Sequence, residues 1–381
     1  MLWAMLFGGM FLLLFAGLVF VISRVRRFGF VKKLAHERKA ASWGVGAAVV
    51  LGAFALLWAA WGLMNAIIIL LHLAVFWGVA ESVQYAVTKR GRRPARLDYA
   101  SAAAVIVTVL YLGVGWIQAK GVWQTNYAVD TQKEVGTLRV ALLADAHVGT
   151  TFDGKGLKTH IARIQQQNPD VVLIAGDFVD EGTDRANMQA ACRALSGLKP
   201  RYGVYFVFGN HDKGLYANGR RGYNGDELIA EMEKNGVRVL QDETVLIDNR
   251  FYLIGRKDAS EEMDFGGSRE TMETLTAGLD KEKFSIVLDH QPRDYAAEAA
   301  AGADLVLSGH THGGQMIPLM QCMRWFRIGG NDSVYGKQRR ENTEFIVTSG
   351  ISDWAIRFKT GCFSEFVMIE IEQTKQQNEN G

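Results

Sequence analysis

The sequence predicts an α/β layered domain with several parallel strands, preceded by an N-terminal region of four transmembrane helices. Three observations support this prediction. Apolar residues are concentrated before residue 120, strand and helix patterns alternate from Leu138 onward, and polar side chains directly follow five of the predicted strands. The chain has 381 residues, more than one average domain, so two regions of different character are expected.

Four apolar stretches have the length of membrane spans, and we assign them to residues 1–22, 43–61, 63–84 and 99–118. The first stretch has no Lys or Arg before Arg24, so we expect a retained span; a signal anchor or unusual leader is the alternative. As a single helix, residues 43–84 would extend roughly 60 Å, about twice the hydrocarbon thickness. Two spans joined by a turn near Gly62 and Asn65 are therefore the better interpretation.

Two basic loops predict the orientation in the membrane. Residues 24–42 carry seven Lys and Arg side chains, and residues 87–97 carry five. With four spans both loops lie on the same side, and the positive-inside rule makes that side cytoplasmic. We therefore expect a multi-pass protein of the cell (inner) membrane whose C-terminal domain is extracytoplasmic. Contact of the same loops with anionic membrane lipid is compatible with this orientation.

The charge distribution argues against nucleic acid as a partner. Residues 1–120 carry 13 basic and three acidic side chains, a net charge of +10, whereas residues 121–381 carry 29 basic and 37 acidic ones, a net charge of −8. An acidic soluble domain is a poor general binder of nucleic acid, because the phosphate backbone attracts basic surfaces. No nucleic-acid binding is expected.

The second half of the chain reads as strands alternating with helices. The predicted strands are 138–144, 170–175, 203–208, 251–255, 284–288, 304–307, 344–348 and 365–371. The predicted helices lie near 155–167, 185–197, 226–235 and 269–279. We therefore divide the chain into a transmembrane region (1–118), a polar connector (119–136), an α/β domain (137–373) and a polar tail (374–381).

The three cysteines have no CxxC spacing. Cys192 lies in a helical pattern and is expected in the core. A disulfide between Cys322 and Cys362 is possible outside the cytoplasm, with free thiols as the alternative.

Polar residues cluster where the predicted strands end. The candidate metal ligands that follow strands are Asp145, His147, Asp177, Asn210, His290, His310 and His312. Ligands of open α/β sheets bind beyond the carboxyl ends of strands. Imidazole and carboxylate without thiolate suit a divalent Mn, Fe, Zn or Ni ion. Seven ligands are too many for one tetrahedral ion, so two ions sharing a bridging carboxylate are expected.

The motifs DAH, GDFVD, GNHD, an isolated His before Pro, and GHTHGGQ occur in this order at residues 145–147, 176–180, 209–212, 290–292 and 309–315. This series resembles the calcineurin-like metallophosphoesterase superfamily over roughly residues 138–372. The GHTHGGQ form and the preceding membrane anchor resemble bacterial membrane-associated phosphoesterases, a group that includes lipid-sugar pyrophosphate hydrolases. The segment RFKTGCFSEF, residues 357–366, departs from the pattern, because relatives tend to carry an Arg-rich loop with Pro before Glu there.

The resemblance implies a four-layer sandwich of mixed β-sheets flanked by helices. It implies that Asp145, His147 and His312 hold one metal, that Asn210, His290 and His310 hold the second, and that Asp177 bridges both. His211 would lie beside the leaving group. Two metals about 3.5 to 4 Å apart can activate a bridging water for in-line attack on phosphorus. His211 could then protonate the departing oxygen, with Asp212 as its orienting partner.

Four further features have a functional and a structural interpretation. Arg220 and Arg221, in the Gly- and Asn-rich segment 214–226, could clamp a phosphate or belong to a solvated loop. Gln315 could contact substrate or stabilise the turn. Asp180 could bind metal, cap its loop or support the ligands from behind. The apolar run 316–326 could be core or a lip facing the bilayer.

The leading hypothesis is a membrane-anchored, two-metal phosphoesterase acting on a phosphomonoester or phosphodiester, with a lipid-linked ester as one candidate substrate. Manganese is the metal we would add first. A nucleotide-linked lipid-sugar pyrophosphatase, similar to UDP-diacylglucosamine hydrolases, is the enzymatic alternative, although the predicted orientation argues against a cytoplasmic substrate. A membrane sensor without turnover is the non-enzymatic alternative, and the complete ligand set argues against it.

Overall fold

A computed structural model describes residues 2–89, 99–217 and 219–374. The chain divides into two compact units, Met1–Gly115 and Trp116–Gly381, which are described separately. The predicted basic residues 90–97 and most of the predicted polar tail lie outside the described residues.

The first unit is helical. Its helices are α1 (Leu2–Val25), α2 (Gly29–Leu34), α3 (Lys39–Trp61), α4 (Leu63–Lys89) and α5 (Tyr99–Lys120), the last of which ends in the second unit. Among the described residues, α3, α4 and α5 are long and apolar enough to cross a membrane, and a shorter apolar stretch covers Phe11–Val25. The chain turns between α3 and α4 at Gly62, whose φ of 85° favours glycine. The structure thus supplies three candidate spans and one shorter apolar helix where the sequence predicts four spans.

The second unit contains two six-stranded sheets. In chain order the strands are β1 (Val122–Thr131), β2 (Thr137–Leu143), β3 (Val171–Ala175), β4 (Val204–Val207), β5 (Val237–Val239), β6 (Glu243–Ile247), β7 (Phe251–Gly255), β8 (Phe284–Leu288), β9 (Leu305–Ser308), β10 (Gly336–Arg340), β11 (Thr343–Val347) and β12 (Ser364–Gln373). The strand order is β1-β12-β2-β3-β4-β5 in one sheet and β10-β11-β9-β8-β7-β6 in the other. Strands β2 to β5 are mutually parallel, as are β7, β8, β9 and β11, whereas β12 runs antiparallel to β2.

The helices of this unit are α6 (Gly154–Gln166), α7 (Arg185–Leu195), α8 (Gly225–Lys234), α9 (Ser260–Met263), α10 (Met272–Thr276), α11 (Tyr295–Ala300) and α12 (Leu319–Phe326). Three apolar cores separate four layers. Leu143 faces the core beneath α6, α7 and α8, whereas its neighbour Leu142 faces the core between the two sheets, as strand alternation requires. Val287 of β8 faces a third core under α10 and α11.

The mixed α/β fold with two sheets flanked by helices is confirmed, and all eight predicted strands are present. The polar connector predicted at residues 119–136 contains a strand that the pattern does not indicate: residues 122–131 form β1 and pair in parallel with β12 along ten residues. This strand lies at the sheet edge and is polar (QTNYAVDT), so it lacks the apolar run that indicates a buried strand. Strands β5, β6 and β10 are not predicted by the sequence pattern; like β1 they lie at sheet edges, and β10 (GKQRR) contains no strongly apolar side chain.

Candidate metal centre

The loops that follow five strands, from both sheets, converge on one site. Residues Asp145 and His147 follow β2, Asp177 follows β3, Asn210 and His211 follow β4, His290 follows β8, and His310 and His312 follow β9. The side chains form two groups, and within each group the potential ligand atoms all lie within 4.8 Å of one another. They are Asp145, His147 and His312, and Asp177, His290 and His310. The structure therefore brings together the side chains that the motifs single out.

Backbone hydrogen bonds between the loops fix these side chains. The amide of His310 donates to both carboxylate oxygens of Asp145, at 3.0 and 3.1 Å, and the amide of His211 donates to Asp177 Oδ1 at 2.9 Å. The amide of His147 donates to the carbonyl of Asp177 at 3.1 Å. Each loop is thereby held by a loop from another strand, which orients the side chains without a ligand.

Five of the proposed ligands have left-handed backbone conformations, a region that non-glycine residues seldom occupy. Their φ angles lie between 36° and 71°, at Asp145, His147, Asp177, His310 and His312. Such conformations cost of order 1–3 kcal/mol each and persist where the surroundings enforce them, commonly at functional sites. Gly309 permits the close approach of the loops, because a Cβ there would lie 2.5 Å from Asp145 Oδ2.

In two of the histidines, a hydrogen bond from Nδ1 to a backbone carbonyl fixes the ring so that Nε2 faces the other candidate metal ligands. His290 Nδ1 donates to the carbonyl of Ala175 at 2.7 Å, and His312 Nδ1 donates to the carbonyl of Ser352 at 3.4 Å. Their Nε2 atoms then face other ligands: His290 Nε2 lies 3.1 Å from Asp177 Oδ2, and His312 Nε2 lies 3.2 Å from His147 Nε2. Two buried imidazole nitrogens that face each other fit a shared cation, so the residues present suit a metal.

Asn210 completes the second group. Its Oδ1 lies 2.9 Å from His310 Nδ1, and its side chain is buried. An amide oxygen beside imidazole and carboxylate is a further ligand suited to a divalent ion.

The pKa shifts agree with a metal-binding role. Burial lowers the pKa of His147 to about 4 and that of His310 to about 3, so both rings are neutral at pH 7 and keep a lone pair. Burial opposes ionisation of Asp177, but His290 and His211 outweigh it and hold the pKa of this carboxyl well below its usual range. Burial also opposes protonation of His290, but Asp177 raises its pKa well above the usual value. A divalent cation would replace that proton.

His211 is held by Glu181, not by Asp212 as the sequence suggested. His211 Nδ1 lies 2.6 Å from Glu181 Oε1. Asp212 instead accepts hydrogen bonds from the backbone amides of Asp177, Phe178, Val179 and Gly209, at 2.7 to 3.1 Å. Its carboxylate is therefore used to tie two metal-ligand loops together. Burial opposes protonation of His211, but Asp177 and Glu181 raise its pKa to about 9.

The tentative substrate residues have mainly structural contacts. Arg221 is buried, and its guanidinium donates to the carbonyls of His211 and Asp212 at 3.1 and 2.9 Å, so it is not free to clamp a phosphate. Arg220 is exposed, and its Nε donates to the carbonyl of Ala217 at 3.3 Å. Gln315 donates to the carbonyl of Trp354 at 3.2 Å, which supports its interpretation as a residue of the turn.

Asp180 lies behind the ligands. It accepts from the Gly182 amide at 2.8 Å and from the Thr150 hydroxyl at 3.0 Å, and its Oδ2 lies 3.9 Å from His147 Nδ1. These contacts match the capping and supporting interpretation of this residue.

The motifs gave no signal for three residues at the site. The rings of Tyr216 and Trp354, each more than two-fifths exposed, pack against His211 with centroids 5.2 and 5.4 Å away. Lys359 is completely buried and donates to the carbonyls of Ser349 and Ser352 at 2.8 and 3.1 Å. Lys359 belongs to the segment that departs from the family pattern, and this departure was the one available hint.

Comparison with known proteins places this geometry in a family. The family model described as calcineurin-like phosphoesterase matches residues 138–314. An uncharacterised metallophosphoesterase of Aquifex aeolicus is 30% identical over 192 residues, which cover 50% of this chain and 69% of the relative.

Two other relatives match over more residues. A transmembrane protein with metallophosphoesterase domain from Danio rerio is 30% identical over 287 residues, covering 71% of this chain and 62% of that protein. An uncharacterised metallophosphoesterase of Campylobacter jejuni is 28% identical over 240 residues, covering 62% of this chain and 60% of that protein. The chain thus spans about three-fifths of these two relatives, and the motifs, the fold and the matches agree that it belongs to the calcineurin-like phosphoesterase family.

Proposed function

We propose that this chain is a membrane-anchored hydrolase of phosphoric esters that uses two divalent metal ions. The observation that supports this most is the pair of adjacent ligand groups on the loops of two sheets, with Asp177 facing His290 at 3.1 Å. One ion would be held by Asp145, His147 and His312, the other by Asn210, His290 and His310, with Asp177 shared. When bound, two such ions would activate a water for attack on phosphorus and neutralise charge on the phosphoryl oxygens.

The protein side chains contribute orientation and a proton. His211 lies beside the first group, with its ring 5.1 Å from that of His147, and Glu181 fixes its Nδ1. Its Nε2 then remains to donate a proton to the leaving oxygen. Trp354 and Tyr216 flank the same ring and limit the access of water to it.

The experiment is a phosphoester panel on the full-length protein in detergent, with aryl monoesters and diesters and with Mn, Fe, Zn or Ni added in turn. Asp177→Asn should lose hydrolysis and at least one bound metal, whereas Lys234→Ala, on the exposed face of α8, should keep both. Absence of hydrolysis with every metal, in protein that binds two ions, would favour the sensor hypothesis instead.

We further propose that the protein is a multi-pass protein of the cell (inner) membrane and that the metal site is extracytoplasmic. The support is the charge of the two loops, seven basic residues in 24–42 and five in 87–97. A lipid-linked phosphoester on that side is then the substrate class that fits best. A nucleotide-linked lipid-sugar pyrophosphate fits less well, because such intermediates are cytoplasmic.

A further inference from the structure

Helix α12 exposes large apolar side chains beside the metal site. Trp325 and Phe326 are 75% and 73% exposed, the highest values for large apolar side chains among the described residues of the second unit. Leu319, one heptad before Phe326 and therefore on the same helix face, is 41% exposed. The opposite face is anchored, because Met320 packs into a small core with Val334 and Cys362. The helix is thus amphipathic, with its outer apolar face uncovered.

Among the described residues, Arg324 of this helix has no acidic partner. Between residues 316 and 330 the charged side chains are Arg324 and Arg327, and the segment contains no Asp or Glu. Arg327 pairs with Asp332, whereas Arg324 contacts the carbonyl of Tyr335 at 3.5 Å. Exposed aromatic residues beside arginine are typical of helices that lie in the bilayer interface and meet anionic headgroups.

A second copy of the chain fits this face less well. A two-fold symmetric contact would place Arg324 near Arg324 of the other copy, with no acidic residue of the segment to balance the charge. Anionic lipid supplies that balance. The candidate membrane spans of the chain would also keep a bilayer at high effective concentration, so a short helix with modest affinity is sufficient.

The face is joined directly to the catalytic loops. Gly314 follows His312 and approaches α12 so closely that a Cβ there would lie 2.7 Å from Met320 Cα. Ile317, between the two, is 43% exposed. Gln315 of the same segment donates to the carbonyl of Trp354, whose ring contacts His211.

We propose that α12, together with Ile317, is a lipid-docking element that inserts Trp325 and Phe326 into an anionic bilayer interface. The metal site then lies beside that interface and acts on phosphoesters carried in it. This second step rests on the proposed hydrolase activity, whereas the docking itself rests only on the membrane anchoring.

The test uses full-length protein in nanodiscs of phosphatidylcholine and phosphatidylglycerol. In a Cys322→Ser background, Trp325→Cys carries an environment-sensitive fluorophore, and Lys234→Cys on α8 is the matched exposed control; Cys192 and Cys362 are buried and stay unlabelled. Spin-labelled lipid should quench the label at 325 at least threefold more than the label at 234. Equal quenching at both positions would overturn the proposal. It would also be overturned if the label at 325 became less accessible to water as protein concentration rises, independently of lipid, because a second copy would then cover this face.

A second measurement separates docking from catalysis. Two hydrolysis rates are compared, one for an acylated aryl phosphoester carried in vesicles and one for a soluble aryl phosphoester. In the double variant Trp325→Glu, Phe326→Glu, the ratio of the first rate to the second should fall by about tenfold. An unchanged ratio, in a variant that retains its metal content, would contradict the presentation of substrate by α12. If no ester is hydrolysed at all, the proposed function fails while the quenching result still decides the docking.

Discussion

His211 is fixed by a carboxylate and two aromatic rings, and this environment predicts a specific kinetic defect. In Glu181→Gln the 2.6 Å contact to Nδ1 loses its charge, so the ring is less firmly oriented and less readily protonated. We expect hydrolysis of alkyl esters, whose leaving group needs a proton, to fall about 10²-fold, and that of nitrophenyl esters to fall much less. The measurement is the dependence of kcat on the leaving-group pKa.

The matched control is Glu233→Gln, an exposed residue of α8. A uniform loss across all leaving groups in Glu181→Gln would contradict the role of Glu181 in orienting a proton donor.

Lys359 gives a second prediction at the residue scale. Its ammonium donates to the carbonyl of Ser352, which also accepts from His312 Nδ1, so Lys359 supports a proposed metal ligand from behind. In Lys359→Met this carbonyl loses one of its donors, and the loop is free to shift. We expect metal affinity to fall about 10- to 100-fold, measured by competition with a chromophoric chelator.

Lys158→Met, an exposed lysine of α6, is the control for the Lys359 substitution. Unchanged affinity in Lys359→Met would mean that the loop holds its position without this contact.

These residues show what the sequence predicts at the residue scale. The seven candidate ligands could be located because each follows a strand in a recognisable motif, and strand ends converge in space. Glu181 and Lys359 could not be assigned, and Arg221 stayed open between a phosphate clamp and a residue of a solvated loop, because their roles depend on tertiary contacts. Asp212 lies directly beside His211 in sequence, yet its carboxylate turns away toward four backbone amides.

Helices and strands were predictable where their pattern is apolar. The buried strand β3 reads VVLIA and was predicted within one residue, whereas the polar edge strand β1 was taken for a connector. For the apolar run that forms helix α12, the sequence leaves two interpretations open, a core segment or an exposed lip. The structure contains both, because Met320 is buried while Trp325 is exposed. An amphipathic helix of two turns is too short for the sequence pattern to separate its faces.

The burial of the cysteines predicts their reactivity. Burial raises the pKa of Cys192 in α7 to about 12 and that of Cys362 to about 11, so at pH 8 only about one thiol in 10³ to 10⁴ is ionised. All three thiols are free, and Cys322 in α12 is partly exposed. We expect a thiol reagent at pH 8 to modify Cys322 alone in the native protein, as read by mass spectrometry.

Labelling of all three cysteines in denaturant, and of none in native Cys322→Ser, completes the cysteine experiment. Rapid labelling of Cys192 in native protein, or a disulfide between Cys322 and Cys362, would contradict the structure.

For the molecule as a whole, bound metal should stabilise the second unit. Ligands that bind only the folded state stabilise by about 2.7 kcal/mol at a hundredfold excess over Kd, which corresponds to roughly 5–10 °C in Tm for a unit of this size. Chelation should therefore lower the Tm by about that amount, measured by calorimetry in detergent. In Asp177→Ala, which should lose at least one ion, chelation should lower the Tm by less than in the unsubstituted protein. If chelator does not change the Tm of the unsubstituted protein, the loops are held entirely by their own hydrogen bonds.

Orientation in the membrane is the last property of the whole molecule that the charges predict. If the basic loops 24–42 and 87–97 are cytoplasmic, a reporter fused after Glu372 lies on the other side of the membrane from one fused after Lys33. We expect an alkaline phosphatase fusion to be active after Glu372 and inactive after Lys33, and a green fluorescent protein fusion to give the reverse pattern. The paired fusions control for expression, since each site is read by both reporters. Fluorescence after both residues would place the metal site in the cytoplasm, which would remove one span from the count and favour a nucleotide-linked lipid pyrophosphate as the substrate.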